Sequence, residues 1–133
     1  MIGGVVRELV AYAARRGLSI HGAHLPDPYL GYYEHAQARI WYSLDLTRAE
    51  RRVVVAHELG HARYGHTCDS PREERQADRF AAQLLIRPRD YEQAERVSAD
   101  AHAIAEELNV TPRLVEVYRV HCLHQIKPLL SHA

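Results

Sequence analysis

Apolar residues recur at helical spacing at the start of the chain and then fall into short stretches. In residues 2–16 they occupy about every third or fourth position, and Gly17 follows, which predicts an N-terminal helix. The next stretches are rich in β-forming side chains and fall at Leu18–His21, Tyr32–His35 and Arg39–Leu44. Only residues 36–38 separate the last two, so they predict a hairpin. Its edge could bind an extended peptide by strand addition, or the hairpin could be purely structural; the pattern leaves both open.

Capping sequences predict where the later helices begin. Residues 47–50 read Thr-Arg-Ala-Glu, a capping box that starts a helix running to about Tyr64, with Gly65 as its stop signal. Residues 70–73 read Ser-Pro-Arg-Glu, a second capping box, and its helix should run to about Ile86. Further helices are predicted at 89–96, at 99–108 and from 112 to about 123.

This order of elements predicts an α+β fold. We expect a mainly helical single domain over residues 1–133, with a small antiparallel β-sheet or hairpin before the helix that begins at residue 48. Its parts would be an N-terminal helix and sheet (1–46), two central helices (47–88) and a C-terminal helical hairpin (89–133).

Composition is that of an ordinary globular protein. The 133 residues are 47% apolar and 26% charged, and 17 basic residues balance 17 acidic ones. Zero net charge argues against non-specific binding to nucleic acid or to anionic membranes. No apolar run approaches the roughly 20 residues of a membrane span. Arg7 and Glu8 interrupt the N-terminal apolar stretch, which makes a poor signal peptide, so we expect a cytoplasmic protein in which Cys68 and Cys122 are free thiols.

Residues 57–61 read His-Glu-Leu-Gly-His and lie in the middle of the predicted helix. On a helix, His57 and His61 lie one turn apart and within about 40° of each other on one face. Two imidazoles so placed can bind one Zn²⁺, and Glu58 beside them can reach a metal-bound water as general base.

A catalytic zinc usually has a third protein ligand, and three downstream residues are candidates. His66 would lie about 140° from His61 on a continuing helix, so it should face away. Cys68 would suit a structural site better than a hydrolytic one. Glu74 is the better candidate, because thirteen residues after His61 leave room for a turn and an antiparallel return. Asp78 shares its helix face and could accept the free ring N–H of a ligand histidine.

Three motifs in this order resemble the ImmA/IrrE family of metallopeptidases: HELGH at 57–61, ERQADRFAA at 74–82 and LLIRP at 84–88. The last departs from the family pattern by one extra residue before the proline, which affects a helix end and not the chemistry. The resemblance implies a zinc endopeptidase with His57, His61 and Glu74 as metal ligands and Glu58 as catalytic base. Its substrate would be a transcriptional repressor, a helix-turn-helix protein of a phage or mobile element, cleaved to derepress genes.

An oxyanion-stabilising or substrate-contacting residue is also expected, and Tyr64, His66, Tyr32 and Tyr33 are the candidates. The residues themselves do not choose among them.

Residues 101–120 have the apolar spacing of a DNA-binding helix-turn-helix. Residues 89–133, however, hold five basic and seven acidic side chains, too few cations for strong phosphate contact. We therefore favour a helical hairpin that packs on the catalytic core or docks a partner, with DNA contact as the alternative. A non-proteolytic zinc-binding regulator that binds a repressor or DNA is the alternative function, although a structural zinc site would not need Glu58.

Overall fold

The computed structural model describes residues 4–66 and 70–123. Six helices and three strands follow one another in this order: α1 Gly4–Ala14, β1 Ser19–Ala23, β2 Gly31–Glu34, β3 Arg39–Ser43, α2 Arg48–Arg63, α3 Pro71–Leu85, α4 Pro88–Val97, α5 Ala101–Leu108 and α6 Pro112–His121. The predicted mainly helical α+β domain is confirmed. None of the described helices is long and apolar enough to cross a bilayer.

The sheet is mixed and not purely antiparallel. Strands β2 and β3 form the predicted hairpin, with Tyr32 opposite Trp41. Strand β1 pairs in parallel with β3, so β3 is central and β2 lies at an edge. A tight turn dictates that β2 and β3 pair antiparallel. The longer connection from β1 to β2 allows β1 to pair with either strand of the hairpin. Pairing with β3 makes it the central strand, and its Ile40 and Tyr42 are both buried.

Local signals at both ends of α2 act as the sequence predicts. Thr47 Oγ1 accepts the Glu50 N–H at 3.2 Å, and Glu50 Oε1 accepts the Thr47 N–H at 2.8 Å, which completes the capping box. The helix ends at Arg63, and Gly65 adopts a φ of +66°, in the left-handed region that favours glycine. The chain therefore turns sharply before His66, whose N–H returns to the carbonyl of His61 at 2.9 Å.

Helices α2 and α3 share the most extensive contact among the described elements. Ala56 and Leu59 of α2 and Ala77 and Ala81 of α3 are all buried at this contact. Gly60 allows it, because a Cβ there would lie 2.9 Å from the Ala77 Cα and 3.1 Å from the Ala77 carbonyl oxygen. Those are backbone atoms that cannot rotate away, so the two helices approach because residue 60 has no side chain.

The C-terminal helices pack onto α3 through α6. Helix α5 ends at Asn109 in the left-handed conformation with a φ of 57°, and Thr111 caps α6 by accepting the Leu114 N–H at 3.2 Å. Cys122 is a free, buried thiol as predicted, whereas Cys68 lies outside the described residues.

Replacing Gly60 with valine should lower the free energy of unfolding by about 1–3 kcal/mol, as overpacking of a tight interior contact does. Chemical denaturation measures this. Ala103→Val makes a comparable enlargement at an exposed position of α5 and should cost much less. Equal stability of Gly60→Val and the wild-type protein would show that the helices do not need this close approach.

Candidate metal site and cleft

His57 and His61 present the same ring nitrogen to one point. Their Nε2 atoms lie 3.1 Å apart and their ring centroids 4.7 Å apart. His61 is buried, and the His57 side chain is only 18% exposed, so the α2 backbone and the surrounding packing hold both rings. Single ligand atoms of His57, Glu58 and His61 all lie within 4.8 Å of one another, and the group could hold a metal ion.

Glu74 of α3 reaches the same point from the opposite helix. Its Oε2 lies 3.0 Å from His57 Nε2, and its Oε1 lies 2.8 Å from His61 Nε2. The carboxylate thus contacts both of the nitrogens that converge, which is where a third ligand would stand. Two imidazoles and one carboxylate are also a donor set that catalytic zinc uses.

Asp78 and Arg113 stand behind His57. Asp78 Oδ1 lies 2.8 Å from His57 Nδ1, and Arg113 Nη2 donates to Asp78 Oδ2 at 2.9 Å. Burial raises the pKa of Asp78, but the hydrogen bonds from His57 and Arg113 outweigh it and the net pKa is lowered. For His57, burial lowers the pKa, but the hydrogen bond to Asp78 and the nearby charges of Glu58 and Glu74 outweigh it. The net pKa of His57 is therefore raised.

His66 lies on the far side of His61 and does not face away from it. The prediction assumed that the helix continues to residue 66, but it ends at Arg63, and the turn at Gly65 brings the ring back. His66 Nδ1 lies 2.9 Å from His61 Nδ1, and His66 Nε2 lies 2.8 Å from Gln76 Oε1 on α3. The ring is therefore next to the nitrogen of His61 that points away from His57 and Glu74.

The remaining candidates divide between the cleft and its surroundings. Tyr64 stacks on the ring of His66, with centroids 5.8 Å apart and planes 24° apart, and meets Phe80 edge-on. Tyr32 and Tyr33 instead line the cleft beside the histidines, and the Tyr33 hydroxyl lies 3.0 Å from His35 Nδ1. Of these tyrosines, those of the hairpin contribute to the lining of the cleft and Tyr64 does not.

The cleft has a volume of about 1060 Å³ and runs between β2 and helices α2 and α3. One side carries the carboxylates and histidines, and the other carries apolar residues of the β1–β2 loop and of β2. Three of those apolar side chains are half exposed: Tyr29, Leu30 and Tyr32 at 55%, 56% and 51%. Thr111 and Arg113 at the start of α6 form part of the rim.

Both arginines of the helix-turn-helix-like segment are used inside the domain. Arg113 binds Asp78, and Arg119 donates to the Tyr91 hydroxyl at 2.9 Å and to the Ala99 carbonyl. Leu114 and Val115 of α6 are fully buried. The geometry favours the interpretation that this segment packs on the rest of the domain, because both of its arginines make hydrogen bonds within the chain.

Two residues of the site, Arg113 and Gln76, are not predicted by the sequence pattern. Arg113 counts there only among the basic side chains of the C-terminal segment. Gln76 lies two positions after Glu74, about 200° round the helix, so its contact arises because the loop returns His66 to α3. No local pattern signals such a contact.

The chain matches one protein family over most of its length. Residues 16–120 match the sequence model of the peptidase M78 family, described as the IrrE N-terminal-like domain. Among solved structures, the fold is similar to that of a Mycobacterium tuberculosis transcriptional regulator, with a TM-score of 0.68 and 20% sequence identity. The similarity covers 86% of this chain and 40% of that one, so this chain spans less than half of the regulator's length. At this identity the likeness shows the fold alone. No curated protein matches the chain.

Asp78→Ala should weaken zinc binding by about 10–100-fold, the usual cost of removing a partner that orients a ligand histidine. Competition with a chromophoric chelator measures the affinity. Asp45→Asn, which alters a 72%-exposed carboxylate away from the cleft, should leave it unchanged. An Asp78→Ala protein that binds zinc as tightly as the wild type would contradict the inference that Asp78 orients His57.

Proposed function

Because the chain belongs to the peptidase M78 family, we propose that it is a zinc-dependent endopeptidase. In this proposal the metal ligands are His57 Nε2, His61 Nε2 and the carboxylate of Glu74. The observation that carries the assignment is the contact of Glu74 with both Nε2 atoms, at 3.0 and 2.8 Å. With the third ligand supplied by Glu74, Glu58 acts as the catalytic base and not as a ligand.

When bound, zinc would supply a Lewis acid for the scissile carbonyl and would lower the pKa of water towards ~7. Glu58 lines the cleft, where its carboxylate would accept a proton from the attacking water and return it to the leaving amine. Gly31 of β2 lies next to the base. A Cβ at residue 31 would collide with Val54 and lie 3.4 Å from Glu58 Cγ, so the strand backbone lies directly against the base.

Asp78 keeps His57 in the tautomer that binds metal. An ionised Asp78 accepts the Nδ1–H of His57, which leaves the Nε2 lone pair for the ion. Arg113 holds the second oxygen of Asp78, so α6 contributes to the site from the C-terminal part of the chain. For the oxyanion, Tyr32 and Tyr33 of the hairpin and His66 are the candidates that line the cleft, whereas Tyr64 does not line it.

The cleft fits an extended polypeptide. Within the described residues, β2 pairs with β3 alone, so its other edge is open to strand addition. Leu30 O accepts the Ser43 N–H at 2.9 Å, and the alternation of an antiparallel ladder then turns the backbone groups of Gly31 and Tyr33 away from β3. A substrate segment that pairs with those two residues would pass beside Glu58, with apolar side chains against Tyr29 and Leu30.

The family resemblance makes a transcriptional repressor the proposed substrate. Cleavage of a helix-turn-helix repressor of a phage or mobile element, in the host cytoplasm, would derepress its genes. The similar solved structure is itself a transcriptional regulator, which agrees with a role near gene control, although that name belongs to the other protein. Arg113 and Arg119 are engaged internally, which supports a protein substrate over direct DNA binding.

The test is incubation of the purified chain with Zn²⁺ and the repressor encoded beside its gene, followed by mass spectrometry of the fragments. Glu58→Gln should lower the cleavage rate by about 10²–10⁴-fold, the contribution of a general base, while retaining one zinc per chain. Glu107→Gln, at an exposed position of α5, serves as the matched control and should cleave at the wild-type rate.

Two results would overturn the proposal. One is full cleavage by Glu58→Gln. The other is a wild-type protein that holds stoichiometric zinc and binds the repressor but leaves it intact, which would establish the non-proteolytic regulator instead.

A further inference from the structure

Two hydrogen bonds in series lead from α3 to His61. Gln76 Oε1 lies 2.8 Å from His66 Nε2, and His66 Nδ1 lies 2.9 Å from His61 Nδ1. Neither contact involves the His57 side of the site.

The direction of these bonds follows from the chemistry of the groups. An amide oxygen can only accept, so the proton between Gln76 and His66 belongs to His66 Nε2. A neutral imidazole with a proton on Nε2 has an accepting Nδ1, so the proton between the two rings belongs to His61 Nδ1. His61 then has an unprotonated Nε2 at 2.8 Å from the Glu74 carboxylate, and these two acceptors can share only a cation, as a bound metal would supply.

His66 is held firmly enough to set this order. The left-handed turn at Gly65 places the residue, and its N–H bonds the His61 carbonyl at 2.9 Å. Tyr64 stacks on one face of the ring. Both ring nitrogens are engaged, so in this arrangement no N–H of His66 remains to meet a substrate oxyanion.

We propose that His66 is a positioning residue that, with Gln76, fixes His61 in the tautomer that presents Nε2 to the metal. The inference rests on the zinc site of the proposed function. A charged pair, Asp78 and Arg113, orients His57. Two neutral groups, His66 and Gln76, orient His61. A neutral partner orients His61 without adding a further negative charge beside Glu58 and Glu74.

Four variants separate this role from simple packing. His66→Leu removes both hydrogen bonds and should weaken zinc binding about 10–100-fold. His66→Gln can accept from His61 through its amide oxygen and donate to Gln76 through its amide nitrogen, so it should recover affinity to within a few-fold. Gln76→Glu can only accept and should also stay close to the wild type. His102→Leu, at an exposed position of α5, is the control for loss of a histidine.

Two readouts are needed. Chelator competition gives the zinc affinity, and nitrogen-edited NMR of histidine-labelled, zinc-loaded protein gives the exchange protection of the His61 Nδ1–H. We expect that proton to be protected in the wild type and in His66→Gln, and to exchange rapidly in His66→Leu.

The proposal fails if His66→Leu binds zinc like the wild type. It also fails if His66→Gln binds zinc as weakly as His66→Leu and the melting temperatures of both metal-free variants fall by the same amount. That is the behaviour of a residue that acts only by packing. If the wild-type protein binds no zinc, the proposed function fails and the tautomer proposed for His61 fails with it. If the wild-type protein binds zinc and His66→Leu binds it equally well, only the role of His66 fails.

Discussion

The absence of a side chain at residue 60 sets the distance between α2 and α3, and the site depends on that distance. The Ala77 backbone occupies the space that a Cβ of Gly60 would need, at 2.9–3.1 Å. Glutamate and aspartate are short side chains, so those on α3 can touch imidazoles on α2 only if the two helix backbones lie close together. The glycine of the HELGH motif therefore has a structural role that is distinct from the chemistry of its neighbours. It makes α3 part of the site, because Glu74 and Asp78 can then reach the histidines of α2.

The two histidines are oriented by different means, and this links distant parts of the chain. His57 is held through Asp78 to Arg113, which lies at the start of α6. His61 is held through His66 to Gln76, which returns to α3. The C-terminal helices thus take part in the geometry of the cleft, even though they carry none of the proposed ligands. A change in how α6 packs on α3 would move Arg113, and through its ion pair with Asp78 it would change the orientation of His57.

Local patterns in the sequence predict what depends on neighbours along the chain. The Thr47 capping box, the glycine stop after α2 and the hairpin of β2 and β3 all depend on residues within a few positions, and the structure has each of them. The approach of Glu74 and Asp78 to α2 was also foreseeable, because helical spacing puts both carboxylates on one face. The parallel pairing of β1 was not, since the choice of partner strand is made in three dimensions. The expectation that His66 faces away from His61 was wrong for a related reason: the angle argument treats the helix as continuous, and the turn at Gly65 breaks it. Arg113 fits a helix-turn-helix spacing equally well whether it meets DNA or Asp78.

We infer that zinc joins α2 to α3 through Glu74. A crystal structure of the zinc-loaded protein, with anomalous data at the zinc edge, would decide this. We expect one ion with His57 Nε2, His61 Nε2 and a Glu74 oxygen at about 2.0–2.2 Å, and no bond to Glu58. An ion whose third protein ligand is Glu58, Cys68 or His66, with Glu74 turned away from it, would show that the inference is wrong.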